Sequence, residues 1–564
     1  MNEIADVVSV GQYLAHRLVE LGGPHVFGLP GDFNLTLLDE MLTVDGIDWV
    51  GNTNELNAAY AADAYARTTR GVAGIVTTYG VGELSAINGI AGSFAEDVPV
   101  VQITGMPTTT ARSTGALSHH TLVDGDYDHF FRAYKEVTVA GAILRAADAS
   151  REIDRVLRAA LDESKPVYLG IPMDIASAPV SSAPLKRPLR ATPSDAVALD
   201  DLRTALRDAL RGLDTVTILA GPRIHRRKAE PLLARIAGHR GVRVATQASA
   251  KSMLPETHPA SIGVYMGQMT PSPTTRAAVD DAPLVILAGT VLSDVLTGFY
   301  SQKFDLDSGV ELGISAARVG PVTFHDVRLE DSLVVLDEVV KGLELTAASP
   351  VEARWPYRTP LAEPTGEHLS QNELWTIVQA WLPRESIAIA DAGTAMYGAL
   401  ELQMPEGTDL LASPIWSSIG YTLPATLGTS LASNRRSILF IGDGAAQLTV
   451  AELSTILHRG LTPIIVLINN DGYTIERVIQ SPRAVYQDIT RWNWAALPAA
   501  LAPDVPVLTA EVRNAAELRD ALARALSATD RAVIIEAHLD PDDAPPLLAK
   551  LGAIAGGNAV SFGD

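Results

Sequence analysis

The sequence contains no cysteine among its 564 residues. Disulfides, thiolate nucleophiles, Cys-ligated zinc and iron–sulfur clusters are excluded together by that absence. Positive charge is also scarce: 44 Lys and Arg face 66 Asp and Glu, a formal net charge of −22. Such a chain repels a phosphate backbone, which argues against nucleic acid as a partner. A small anionic substrate would need local positive charge, a metal or a cationic cofactor. No uncharged apolar run approaches the ~18–20 residues that cross a bilayer. The longest, around Thr462–Ile468, has the length of a strand. The opening Met1-Asn2-Glu3-Ile4-Ala5-Asp6 carries acids where a secretory signal would be basic and then apolar. A cytoplasmic protein without a membrane partner is the expectation. Short-period repeats and low-complexity tracts are missing too.

What is present suits packed cores. Hydrophobic residues make up 47% and charged residues 20%, which rules out disorder as the main state. The length is several times that of one domain. Proline marks the joints, because its ring and missing N–H block regular pairing. Ala176–Ala198 holds Pro179, Pro184, Pro188 and Pro193; Thr346–Ser370 holds Pro350, Pro356, Pro360 and Pro364. The domains expected are residues 1–180, 195–346 and 368–555.

Each block alternates short β-branched runs with longer amphipathic ones. In the first, strands are predicted at His25–Gly28, Ile47–Gly51, Gly74–Thr78, Val98–Thr104 and Val167–Ile171. The second offers Thr215–Ala220, Val242–Thr246 and Leu284–Ala288, and the third Ser386–Ala390, Ser437–Ile441, Pro463–Ile468 and Ala532–Ala537. Helical patterns such as Val10–Leu21, Leu202–Leu213 and Ala516–Leu526 lie between them. Continuous apolar strands alternating with helices argue for parallel sheets covered on both faces. The fold class expected is α/β, with three doubly wound parallel-sheet domains. The Gly-rich tail from Gly552 to Asp564 is expected to be mobile.

In such sheets ligands bind beyond the carboxyl ends of strands. After Ser437–Ile441 comes Gly442-Asp443-Gly444, then a helical stretch from Ala446 to Leu457, then a strand ending in Asn469-Asn470-Asp471-Gly472. Gly-Asp-Gly alone is a common turn, but here it sits in a βαβ unit. Neighbouring strands would bring Asp443 and Asn470 together although they are 27 positions apart. Carboxylate, amide and carbonyl oxygens suit Mg²⁺, and glycines beside Asp443 let a diphosphate approach the backbone.

The unit resembles the signature of thiamin-diphosphate enzymes. The resemblance implies Mg²⁺ held by Asp443, Asn470 and the carbonyl of Gly472, with Gly442 and Gly444 at the diphosphate. Further elements narrow the branch: Phe27-Gly28-Leu29-Pro30-Gly31-Asp32, the Ala-rich helix opening at Asn54-Glu55, Ser118-His119-His120-Thr121, and Tyr473-Thr474-Ile475-Glu476. Singly, Asp32 could make a turn, Glu55 could be a helix-dipole acid, and the histidines and Glu476 could be exposed charge. Jointly they resemble the pyruvate/indolepyruvate/2-oxo-acid decarboxylases.

That resemblance implies an N-terminal domain for the aminopyrimidine and a C-terminal domain for the diphosphate. It also implies active sites between subunits of a homodimer or homotetramer. Glu55 would bond the pyrimidine nitrogen and Ile419 would bend the cofactor, while Thr394 and the carbonyl of Ser417 would also bind it. Asp32, His119, His120 and Glu476 would handle protons. Ser417 stands where the family usually has glycine. Met396 and Val295 stand where pyruvate-specific members carry aromatics. With Ala392, Ile475 and Ile479 they would frame a roomy pocket, expected to take indolepyruvate or phenylpyruvate ahead of branched-chain 2-oxo acids. Alternatives are pyruvate decarboxylase and an acetolactate-synthase-like carboligase, although the His pair and Glu476 serve protonation. Gly80-Val81-Gly82-Glu83-Leu84-Ser85 starts like a dinucleotide fingerprint but ends in serine, against a nicotinamide enzyme. A non-catalytic protein on this scaffold would have little reason to keep Glu55 and the His pair.

Overall fold

The computed structural model describes residues 4–346, 348, 351, 353, 355–358 and 367–559. It contains three large sheets, built on the apolar runs of the sequence. The chain forms two compact units: Met1–Thr192 with Leu427–Asn434, and Pro193–Thr426 with Arg435–Asp564.

In the first unit six strands run parallel in the order Asp48–Gly51, His25–Gly28, Ala73–Thr78, Val100–Met106, Val167–Pro172 and Ala140–Ile143. Ala73–Thr78, Val100–Met106 and Val167–Pro172 are buried at every position. Each fully buried valine or isoleucine there contributes ~1.5–3 kcal/mol. The helix Val10–Glu20 starts at a capping box in which Ser9 and Gln12 bond reciprocally, and it buries Val10, Tyr13, Leu14 and Leu18. Pro179 departs from expectation: Pro179–Ser181 pairs antiparallel with Val7–Ser9. A proline is tolerated at the first residue of such a two-stranded edge, where its missing N–H is not required.

The second unit holds two sheets. In the central one, Ser261–Val264, Val242–Thr246, Val216–Ala220, Val285–Ala288 and Val310–Leu312 run parallel. Ala316–Val319 and Val322–His325 extend this sheet as antiparallel strands, so it is mostly rather than wholly parallel. The C-terminal sheet is parallel throughout, in the order Asp409–Leu411, Ile387–Ala390, Ser437–Gly442, Ile464–Asn469, Ala532–His538 and Val507–Val512. A fully buried ion pair, Lys251 with Glu256, joins the two layers: Glu256 accepts from the Met404 N–H at 2.7 Å, and Ser252 Oγ accepts from the Leu410 N–H at 3.2 Å.

The Gly-rich tail is not a loose end as far as it is described. A helix spans Pro546–Ala559, because Leu547, Leu548 and Leu551 bury in the C-terminal core. Gly552 lets it approach the neighbouring helix, where a Cβ would lie 2.3 Å from Val478 Cγ1. Residues 560–564 lie outside the described residues, as do Pro350, Pro360 and Pro364 of the second joint. Pro356 of that joint opens a short 3₁₀ helix that buries Tyr357. The stretch expected as one helix from Ala446 to Leu457 forms two, Asp443–Thr449 and Glu452–His458.

Candidate active site

Strands Ser437–Gly442 and Ile464–Asn469 are parallel neighbours with Gly442 opposite Ile468. Their carboxyl ends therefore deliver Asp443 and Asn470 to one place. Both side chains are buried, at 2% and 3% exposure. One end of the Asn470 amide lies 3.1 Å from Asp443 Oδ1 and 3.0 Å from the Gly472 carbonyl oxygen. With its oxygen turned that way, three oxygens converge with no donor between them. Mg²⁺ bonds of ~2.0–2.1 Å place adjacent octahedral ligands ~2.9–3.0 Å apart, so the residues fit the ion.

Burial raises Asp443 to about 7, because desolvation disfavours the charged carboxylate. The Gly444 N–H opposes this by donating to Oδ1 at 2.8 Å, and the Asp471 carboxylate adds to the rise. Gly472 has φ +144°, and a Cβ there would lie 2.1 Å from the Gln487 carbonyl oxygen. Gly444 is demanded differently: its Cβ would lie 2.6 Å from Tyr473 Cε1. Gly442 has open space on its Cβ side.

In the first unit, a loop carries His119 and His120 to the turn that follows strand His25–Gly28. His119 Nε2 and Asp32 Oδ2 are 2.8 Å apart, and the His119 ring stacks on Phe33 with centroids 4.8 Å apart. His120 sits edge-on to His119, at 4.6 Å between centroids. His120 has φ +61°, and its Nδ1 is buried without a hydrogen-bond partner. Glu55 is half-buried at the start of helix Glu55–Thr69, which Asn54 caps by accepting from the Asn57 N–H at 2.8 Å. Burial raises the Glu55 carboxyl above its usual range, and a Ser85 hydrogen bond partly offsets the rise.

Comparison with known proteins adds the decisive observation. Residues 8–126, 204–332 and 371–537 match, in order, the N-terminal TPP binding domain, the central domain and the C-terminal TPP binding domain of the thiamine pyrophosphate enzymes. An alpha-keto-acid decarboxylase of Mycolicibacterium paratuberculosis is 41% identical over 549 residues, 96% of each chain. One of Mycobacterium tuberculosis is 41% identical over 548 residues, 97% of each chain. The chain belongs to the thiamin-diphosphate-dependent 2-oxo-acid decarboxylase family.

The remaining family positions lie in loops and helices that follow strands of the C-terminal sheet, with Val295 in helix Asp294–Thr297 beyond the central one. Ser417 adopts φ +52°, the left-handed backbone that favours glycine, so the serine keeps that turn at some cost. Ile419 lies half-buried two residues on. This turn is anchored by a residue to which the sequence assigned no role. Asp391, just past strand Ile387–Ala390, accepts from the Gly420 N–H at 3.2 Å, the Thr422 N–H at 3.1 Å and the Thr422 hydroxyl at 2.6 Å. Burial raises Asp391 to about 6. An acid immediately after a strand was the available signal.

Thr394 is buried at the start of helix Thr394–Leu400, and Ala392 is half-buried before it. Met396 belongs to the C-terminal core cluster, and Val295, Ile475 and Ile479 pack against that same cluster. A Cβ on Gly393 would lie 4.0 Å from Ile475 Cγ2. Glu476 is exposed in the first turn of helix Thr474–Ile479.

Glu83 lies in the run that begins like a dinucleotide fingerprint, and nothing in that run marks its role. It is buried, accepts from the Gly80 N–H and the Tyr168 hydroxyl, each at 2.8 Å, and is raised to about 7 by burial. It thereby holds the turn at Gly80, whose Cβ side is filled by the His120 carbonyl, 2.0 Å from an added Cβ. No helix among the described residues is long and apolar enough to cross a membrane.

Proposed function

We propose that this chain converts a 2-oxo acid to an aldehyde and CO₂ without net oxidation, using thiamin diphosphate and Mg²⁺. The observation that carries the reading is the buried convergence of Asp443 Oδ1, the Asn470 amide and the Gly472 carbonyl, in a chain of this family. The names of the similar relatives support the reaction class. When bound, the thiazolium of the coenzyme supplies the electron sink that loss of a carboxylate requires.

The chain's own residues do the rest. Asp443, Asn470 and the Gly472 carbonyl hold Mg²⁺, and Gly442 and Gly444 line the approach of the diphosphate. Thr394, the Ser417 carbonyl and Ile419 hold the head of the coenzyme. Glu55, whose carboxyl burial raises above its usual range, hydrogen-bonds the pyrimidine nitrogen. Asp32 orients the His119 ring through their 2.8 Å contact. His119, His120 and Glu476 then exchange protons with the bound substrate and the departing aldehyde.

Residues 1–180 serve as the pyrimidine-binding domain, 195–346 as the central domain and 368–555 as the diphosphate and metal domain. The functional assembly is a cytoplasmic homodimer or homotetramer with active sites between subunits. Ala392, Met396, Val295, Ile475 and Ile479 form the substrate wall. A flexible thioether and a short valine leave room for indolepyruvate or phenylpyruvate ahead of branched-chain acids. An aldehyde-coupled assay over these acids and pyruvate, with thiamin diphosphate and Mg²⁺ added or withheld, tests the whole reading. Activity should need both and should favour the aromatic acids in kcat/KM. Pyruvate as best substrate would refute the pocket argument, and acetolactate as product would replace decarboxylation to aldehyde with carboligation.

A further inference from the structure

The two ends of an asparagine amide have the same shape and opposite hydrogen-bonding character. A metal site that uses Asn470 therefore needs something to decide which end faces the ion. One end faces Asp443 Oδ1 and the Gly472 carbonyl; the other lies 2.8 Å from Thr474 Oγ1. The Thr474 hydroxyl has a single proton. That hydroxyl also lies 2.8 Å from the Pro541 carbonyl oxygen, which can only accept. With the proton committed to Pro541, the hydroxyl can only accept from Asn470. The nitrogen must then face Thr474 and the oxygen must face inward.

We propose that Thr474, through its bond to the Pro541 carbonyl, is the positioning residue that points the Asn470 oxygen at the cation. This rests on the Mg²⁺ reading of the site and goes beyond its three ligands. The competing arrangement is self-satisfied. With the amide reversed, its nitrogen donates to Asp443 and to the Gly472 carbonyl, and its oxygen accepts from Thr474. That state closes the metal position and requires Thr474 to abandon Pro541. Water is poorly placed to substitute, because Thr474 and Asn470 are 2% and 3% exposed.

Arg477 fixes the frame in which the choice is made. Its Nη1 reaches the Asn470 carbonyl at 3.3 Å and the Pro541 carbonyl at 3.4 Å, and its Nη2 reaches the Asp471 carbonyl at 3.1 Å. The backbone of the loop and the Pro541 carbonyl are thus tied to one guanidinium. The hydroxyl proton of Thr474 is left as the element that selects the amide orientation.

The test uses Mn²⁺ as the probe, with free Mn²⁺ read by electron paramagnetic resonance in the presence of saturating thiamin diphosphate. Thr474→Val keeps the shape and removes the hydroxyl, Thr474→Ala removes it without bulk, and Thr474→Ser keeps it. The valine and alanine variants should bind Mn²⁺ about tenfold more weakly, the size expected for one buried hydrogen bond. The serine variant should stay within about twofold of the parent, a rescue that general loosening of the helix would not produce. Circular dichroism checks folding, and if the valine variant does not fold the alanine variant decides. Unchanged Mn²⁺ affinity in the hydroxyl-free variants, or an equal loss in the serine variant, would overturn the proposal while leaving the metal site intact. A parent protein that takes up no Mn²⁺ would overturn the cation reading and this proposal together.

Discussion

Titrating Mn²⁺ into the coenzyme-free protein at several pH values would count protons at Asp443. Burial lifts that carboxyl from 3.8 to about 7, and a protonated carboxyl cannot serve as a metal ligand. At pH 6 about nine-tenths of the chains would carry the proton, and at pH 8 about one-tenth. Binding at pH 6 should therefore release about 0.9 proton and be about tenfold weaker than at pH 8, where release falls to about 0.1. Calorimetry in two buffers of different ionisation enthalpy separates these values directly. Asp443→Asn should abolish the pH dependence together with most of the binding.

The same shift sets the sign of a stability effect. The folded value lies above the unfolded one, so this group's contribution is complete below pH 3.8 and is lost as pH rises through about 7. The loss amounts to about 4 kcal/mol, and a bound cation should recover it at neutral pH. Proton release that is the same at pH 6 and pH 8, or that persists in Asp443→Asn, would refute the reasoning.

Other consequences are equally direct. Ser417→Gly should raise stability by about 0.5–1 kcal/mol, the left-handed penalty at φ +52° less the extra chain entropy of glycine, visible as a higher Tm. A lower Tm would mean that the serine hydroxyl bond to the Pro414 carbonyl at 3.1 Å outweighs the strain. Gly444→Ala should push the Tyr473 ring aside at a cost of about 1–3 kcal/mol and weaken Mn²⁺ binding. Lys251→Met should cost about 3–5 kcal/mol in denaturant unfolding by stranding the buried Glu256 carboxylate, and adding Glu256→Gln should recover most of it. Glu55→Gln should abolish aldehyde formation while circular dichroism stays unchanged, and retained turnover would remove Glu55 from its proposed role.

Much of the molecule is legible in the sequence. His25–Gly28 and Val242–Thr246 form strands with the predicted bounds, and Ser437–Ile441 is extended by one residue to Gly442. Such runs are read easily because a strand buried on both faces must be apolar at consecutive positions, a local property. The Asp443–Asn470 pairing was legible for a related reason: in a βαβ unit the two strand ends are neighbours whatever the rest of the chain does.

Other features had no local sign. Ala140–Ile143 is a short run with a glycine, and it is a strand because Val167–Pro172 offers it an open edge. Pro179–Ser181 pairs only because Val7–Ser9 reaches it from the far end of the sequence. Glu83 looks like an ordinary surface acid until the layers around it close and leave the Gly80 N–H and the Tyr168 hydroxyl as its solvent. The sequence alone therefore determined the alternation of strands and helices, the family, and the meeting of Asp443 with Asn470, because periodicity and motif spacing are properties of neighbouring residues. Tertiary structure alone decided which acids were buried, which edges were paired and which way the Asn470 amide could turn, because each depends on partners such as Pro541 that lie far along the chain and meet it only when the core is packed.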